Sequence, residues 1–318
     1  MERSHQMAAL AVLFLVGCTV CLADQPPAVD PAAPLLFTSF RGNGEDGLHL
    51  AWSQDGYTWT PLRNDKPLVR PEVGGGLMRD PQILQGPDGT FHMVWTTAWS
   101  KHGVGYANSK DLIHWSKQKL LDVMKNEPQA RNVWAPEIFY DATQKQFMVF
   151  WASTIPGRFP AADKTGDDGY NHRIYFTVTP DFDRLEPARL LYEPGFNVID
   201  ATLVQDGKRF VMFLKDETRQ PPAKNLRVAT AEAPTGPYGP PSASITGKYW
   251  AEGPTAIQLG DRWFMYFDRY TEHRYGLVTS KDLVHWDDES DKVRFPADHR
   301  HGSVLRVSRE ILKGLMEP

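Results

Sequence analysis

Arg79-Asp80-Pro81-Gln82-Ile83 leads, past Gly86-Pro87-Asp88-Gly89, into Phe91-His92-Met93-Val94-Trp95, and then into Tyr106-Ala107-Asn108-Ser109-Lys110-Asp111-Leu112-Ile113-His114-Trp115. An acidic opener, a tight turn, a β-branched and aromatic run and a third strand closing on a polar turn describe one sheet unit. The unit recurs. Its openers return as Trp134-Ala135-Pro136-Glu137-Ile138, Ile199-Asp200-Ala201-Thr202-Leu203 and Ala251-Glu252-Gly253-Pro254-Thr255. Its aromatic runs return at 147–151, 210–214 and 263–267, and its third strand at 50–59 and 277–286, with weaker copies from Phe176 and Val228. Five units at a spacing of roughly 50 to 70 residues predict an all-β chain folded as a five-bladed β-propeller. The first unit, from Leu35, has no opener of its own type, and His301-Gly302-Ser303-Val304-Leu305-Arg306-Val307 is a lone strand. Pairing these two ends in one blade closes the ring and removes the free sheet edge.

The remaining sequence narrows the class. Of the 318 residues 41% are hydrophobic and 12% aromatic, enough for a large core, and the net charge is -4 with no basic stripe. Binding to nucleic acid through phosphate neutralisation is therefore not expected. Residues 1–23 read as a targeting segment, 24–34 as a linker and 35–318 as one catalytic propeller. Two exits stay open for the leader: cleavage before Asp24, or a lipobox, Leu15-Val16-Gly17-Cys18, that makes Cys18 a lipidated membrane anchor. Either implies a bacterial exported protein: periplasmic, outer-membrane lipoprotein or secreted. Both cysteines, Cys18 and Cys21, fall in this segment, so the propeller must be held by its core without disulfides.

Four acids in register with a repeat bring carboxylates to one axis. Each alone is readable as a turn or cap residue binding local amides. Together they suit glycoside hydrolysis, which takes one carboxyl as proton donor and another as base or nucleophile, with their pKa values pushed apart. Other chemistries lack support: there is no Gly-x-Ser-x-Gly elbow, and Gly74-Gly75-Gly76 precedes a strand rather than a helix. No His pair shows zinc spacing, so no metal ligand is assigned and no cofactor is required.

In these motifs the chain resembles the five-bladed propeller glycosidases of family 43, the group of arabinofuranosidases, β-xylosidases and arabinanases. The resemblance covers nearly all of the expected mature chain. It implies an inverting glycoside hydrolase with Asp80 as general base, Asp200 as the residue that tunes and orients the acid, and Glu252 as general acid. Ala201 replaces the usual Pro after Asp200, and Glu137 stands where many relatives carry Asp. The expected substrate-binding residues are Glu137, Trp99, Trp134, Phe196, Asn197, Lys215, Arg269 and His301, with the loop from Ser153 to Arg173 at the mouth. A structural calcium near His301 is left open by the same resemblance. The substrate implied is a plant-type oligo- or polysaccharide losing terminal pentose, α-L-arabinofuranosyl before others. Alternatives are a β-xylosidase or galactosidase-type activity, a phosphorylase on the same fold, or a non-catalytic glycan-binding propeller. A phosphorylase would need Arg79, Lys215 and Arg269 in one pocket.

Overall fold

A computed structural model describes residues 33–163 and 165–317; the expected leader with Cys18, and most of the linker, lie outside them. Among the described residues nineteen strands make five separate antiparallel sheets, the blades of the expected propeller. The second blade runs β4 (Arg79–Gln85), β5 (Phe91–Thr96), β6 (Val104–Ser109) and β7 (Lys119–Leu121). The third runs β8 (Trp134–Asp141), β9 (Gln146–Ser153), β10 (Arg173–Thr179) and β11 (Arg189–Tyr192). The fourth holds β12 (Val198–Asp206), β13 (Arg209–Asp216) and β14 (Asn225–Ala231). The fifth holds β15 (Glu252–Leu259), β16 (Arg262–Arg269), β17 (Arg274–Ser280) and β18 (Asp287–Asp288). In the fourth blade the outer strand is replaced by a Pro-rich segment in which Gly239, Ser242 and Ile245 donate to carbonyls of β14. Pro240 and Pro241 have no N–H for a ladder, so the edge is covered without a regular strand.

The first blade is made by both ends of the chain. The C-terminal strand β19 (Val304–Arg306) pairs with β1 (Leu35–Ser39), followed outward by β2 (His49–Ser53) and β3 (Thr60–Pro61). The ring is thus closed as the sequence predicts. The helix α1 (Arg309–Met316) follows, capped by Ser308, and buries Leu312 and Leu315 on the same core.

The repeated Ser/Thr-x-Asp motif builds the turn after the third strand in four of the five blades. Asp111 Oδ1 accepts from the N–H groups of Ile113 and His114 at 2.8 and 2.7 Å, and Asp282 Oδ1 from Val284 and His285 at 2.9 and 2.8 Å. The residue after the acid is left-handed each time: Gly56, Leu112, Phe182 and Leu283 have φ of 78, 65, 59 and 63°. These acids are turn residues, as the local reading of such acids expects.

The innermost strands β4, β8, β12 and β15 share one irregularity. In each, two residues oppose a single residue of the next strand: Asp80-Pro81, Ala135-Pro136, Asp200-Ala201 and Gly253-Pro254. The first of each pair is left-handed, with φ of 51, 46, 53 and 56°. Such bulges re-aim side chains beside functional sites. They also correct the expected register. Asp80 and Asp200 occupy the same bulge position, Glu252 sits one residue before it, and Glu137 two residues after it.

Candidate active site

At the bulge end of the axis lies a cleft of about 230 Å³, lined by Asp80, Asp200 and Glu252 from three different blades. Arg79, Thr96, Trp99, Trp134, Lys215, Glu217, Tyr270, Arg300 and His301 complete most of its wall. The three expected catalytic acids therefore meet, although 172 positions separate the first from the last.

Each acid is held differently. Asp80 accepts from the Thr96 hydroxyl at 2.8 Å and lies 3.3 Å from His301 Nδ1. The same Thr96 oxygen accepts from the N–H of Ala135, tying the second blade to the third. Asp200 is buried and accepts from the N–H of Gly253 at 3.1 Å, tying the fourth blade to the fifth. Gly253 is required where it stands: at φ 56° a Cβ would come within 2.4 Å of the His301 ring.

Glu252 is enclosed by cations. Its Oε2 accepts from Lys215 Nζ at 3.1 Å and its Oε1 from Arg300 Nη2 at 3.1 Å. Lys215 also pairs with Glu217 at 2.6 Å, and Arg300 Nε with Asp268 at 2.8 Å. Burial alone would raise the Glu252 pKa, but Lys215, His301 and Arg300 outweigh it and hold the carboxyl down to about 2. Asp200 goes the other way. Burial pushes it up to about 6 against the opposing pull of His301 and Lys215. Asp268 is likewise lifted to about 6, by burial and then by the charge of Glu252. In the sugar-free protein the surrounding cations hold Glu252 ionised, whereas burial makes Asp200 easier to protonate than an ordinary carboxyl.

The site extends to the loop between β9 and β10 through alternating charges. Glu217 pairs with Lys224, which also meets Asp167 at 2.5 Å, and Asp167 belongs to that loop. The loop also supplies Tyr170, which packs on Trp134 at 4.6 Å between ring centres. None of its described residues lines the cleft; the loop supports the wall from behind.

Of the expected binding residues, Trp99, Trp134, Lys215 and His301 line the cleft and four do not. Glu137 lies deeper on the axis, where Gln82, Glu137, Thr202, Thr255 and Ser303 form a polar ring, one residue from each blade. Gln82 accepts from Ile138 N–H, Thr255 from Val304 N–H and Ser303 from Ile83 N–H, so these side chains join neighbouring blades. Glu137 joins Thr202 in the same way, and burial lifts its pKa to about 8. Asn197 is fully buried and accepts from the N–H of His172 at 2.7 Å, while Phe196 packs against the apolar core between the third and fourth blades, under Arg227. Arg269 stacks on Tyr249 at 3.7 Å and pairs with Glu272. Strand alternation explains that miss. Asp268 is the residue opposite Glu252, so its neighbour Arg269 points to the other face.

Sequence reasoning missed Thr96, Asp268, Tyr270 and Arg300 as parts of the site. Thr96 and Asp268 stand opposite the residue that precedes the bulge, Arg79 and Glu252, as Lys215 does opposite Ile199, so the position of Lys215 carried a signal for both. His299, two residues before His301, is buried among Phe37, Tyr275 and Phe295. Among the described residues no three His, Cys, Asp or Glu side chains are grouped to hold a metal ion. His301 is already engaged with Asp80, so the side chains alone supply no calcium cage, which takes six to eight oxygens.

Comparison with known proteins agrees with this geometry. Residues 30–312 match a family-43-related model described as "Probable glycosyl hydrolase domain". The chain belongs to this family of glycoside hydrolases. An α-L-arabinofuranosidase of Bifidobacterium longum is similar to the hydrolase at 24% identity over 210 residues, 58% of this chain and 19% of that protein. The hydrolase thus aligns with about a fifth of the curated relative's length. Among solved structures it is similar to the α-L-arabinofuranosidase from Lactobacillus brevis, with a TM-score of 0.52, 17% identity and coverage of 72% of this chain and 74% of that one. The catalytic domain of the Coprinopsis cinerea family-62 α-L-arabinofuranosidase gives 0.54, 13%, 83% and 79%. At these identities the structural likeness speaks for the propeller fold.

Proposed function

We propose that this glycoside hydrolase removes terminal pentose units, α-L-arabinofuranosyl first among them, from plant-type oligo- or polysaccharide with inversion at the anomeric carbon. One observation carries the reading: Asp80, Asp200 and Glu252, from three blades, line one sugar-sized cleft with two tryptophans at its edge. Flat indoles suit the apolar face of a sugar. The arabinofuranosidase relatives support the choice of sugar.

In this reaction Asp80 takes a proton from water as the water oxygen bonds to the anomeric carbon. The glycosidic C–O bond breaks and its electron pair goes to the leaving oxygen, which Glu252 protonates. The electrostatics set a condition on that last role. Between Lys215 and Arg300 Glu252 holds no proton at neutral pH. It acts as an acid once a bound glycoside displaces one of these cations and so lets its pKa rise. Phosphorolysis is disfavoured, because Lys215 and Arg300 are both engaged with Glu252 and Arg269 lies outside the cleft.

The test is a panel of nitrophenyl glycosides and arabinoxylan oligosaccharides, with the product followed by proton NMR. Release of arabinose from the α-arabinofuranoside, appearing first as the β-anomer, supports the reading. First appearance of the α-anomer, or release of hexose with no pentose, overturns it.

A further inference from the structure

We propose that Arg79 forms a carboxylate subsite, so that the enzyme prefers glycans carrying a uronic acid next to the sugar it removes. This rests on the hydrolase reading of the same cleft and adds the charge of its substrate.

The observation is an imbalance among the cations of the wall. Lys215 has Glu217 and Glu252, Arg300 has Glu252 and Asp268, and His301 has Asp80. Among the described residues Arg79 pairs with no carboxylate. Its Nη1 donates to Asn43 Oδ1 at 3.1 Å, and its other N–H groups make no described hydrogen bond within the protein. The exposed carboxylate of Glu45 feels the Arg79 charge but makes no ion pair with it, and is held instead by the Asn43 amide at 2.8 Å.

The guanidinium is nonetheless fixed. It packs on the rings of Phe40 and Trp99, 4.6 and 4.4 Å from their centres, which removes water from it and sets its plane. Its stem passes Gly44, where at φ 90° a Cβ would lie 2.8 Å from Arg79 Cγ. The chain thus holds a planar cation beside Asp80 and leaves part of its donor fork open to the cleft. A carboxylate matches that fork with two parallel hydrogen bonds and supplies the missing charge. A neutral hydroxyl pair satisfies the N–H groups but not the charge. A phosphate or other dianion fits worse, because Asp80, Asp200, Glu217 and Glu252 already line the cleft. A single negative charge at the Arg79 edge is the match.

The experiment compares two oligosaccharides from glucuronoarabinoxylan, one intact and one with its uronic carboxyl reduced to the alcohol, on the full-length protein. The intact substrate should show a kcat/KM at least about tenfold higher at low salt, carried by KM, the size of one charge-assisted contact. Added NaCl should narrow the ratio. Arg79→Met should bring it to about one, and Arg79→Lys should keep part of it, since Lys offers the charge without the fork. Equal rates in the wild type, or a preference that survives Arg79→Met, overturn the proposal and leave hydrolysis standing. Should Arg79→Met fail to fold, ligand-observed NMR on the wild type decides: methyl glucuronide binding where methyl glucoside does not supports the subsite, and equal binding sinks it. Uronide binding without cleavage of either oligosaccharide would remove the hydrolase reading and keep the anion site.

Discussion

Glu252 and Glu137 are the same residue type on equivalent innermost strands, the first half-buried and the second buried, yet one carboxyl is held down to about 2 and the other pushed up to about 8. The difference is three positions along the strand. Glu252 precedes the bulge, where the second strand's end brings Lys215 and the chain before β19 brings Arg300. Glu137 follows the bulge, where Thr202 is its partner and the charge of Asp200 adds to the burial penalty. The bulge divides the axis into a charged reacting layer and a neutral layer that joins blades. A cavity of about 410 Å³ lies along the second layer, with aliphatic side chains such as Ile83, Leu203 and Leu305 in its wall. It is larger than the cleft, but among the described residues its lining holds one acid, Glu137, and one cation, Arg306, where the cleft gathers several of each.

The comparison can be broken at several points. The largest effect belongs to the reacting layer. Asp80→Asn should lower kcat/KM by about 10³-fold, the usual weight of a general base. Near-normal turnover measured with nitrophenyl α-L-arabinofuranoside would take Asp80 out of that role. Lys215→Met removes one cation from Glu252, so the carboxyl's pKa rises and the alkaline limb of the rate profile should move up by about one to three units. A limb that stays in place would detach Lys215 from the acid's protonation, whatever the change in absolute rate.

Glu137→Gln has its effect on stability. Glu137 keeps its proton in the folded protein up to about pH 8, whereas the unfolded chain loses it near the ordinary value of 4.5. Between those values the folded state binds more protons, so stability falls as pH rises. Replacing the acid with a neutral amide should remove that part of the slope and raise stability at pH 7 by on the order of 2 kcal/mol. Thermal melts from pH 5 to 8 check it, and a variant whose deficit grows with pH would contradict it. A smaller shift is expected from Asp167→Asn. Losing the loop's charge on Lys224 should move the same alkaline limb by a few tenths of a unit at most, through Glu217 and Lys215. A shift as large as that of Lys215→Met would mean that the loop, not Lys215, sets the state of Glu252.

Much of this was legible in the chain. Periodicity and turn chemistry gave five blades and the joining of both ends, because β1 and β19 each lack what the other supplies. The acids Asp80, Asp200 and Glu252 were findable because each opens a repeat. What the repeat did not reveal was the bulge. A two-residue offset looks trivial in a motif, but along an axis it moves Glu137 from the reacting layer into the ring that ties β8 to β12. Arg300 was hidden for another reason. It reaches Glu252 and Asp268 by side-chain contacts from a segment outside their hairpin, and no local pattern encodes such contacts.

The most direct test sets Glu252→Gln beside Glu137→Gln and measures kcat/KM for both on an arabinoxylan oligosaccharide, whose leaving group needs protonation. Collapse of the first by about 10²-fold or more, with the second within a few-fold of wild type, is the predicted result. Equal losses, or a heavier loss at Glu137, would contradict the division of the axis on which the proposed chemistry depends.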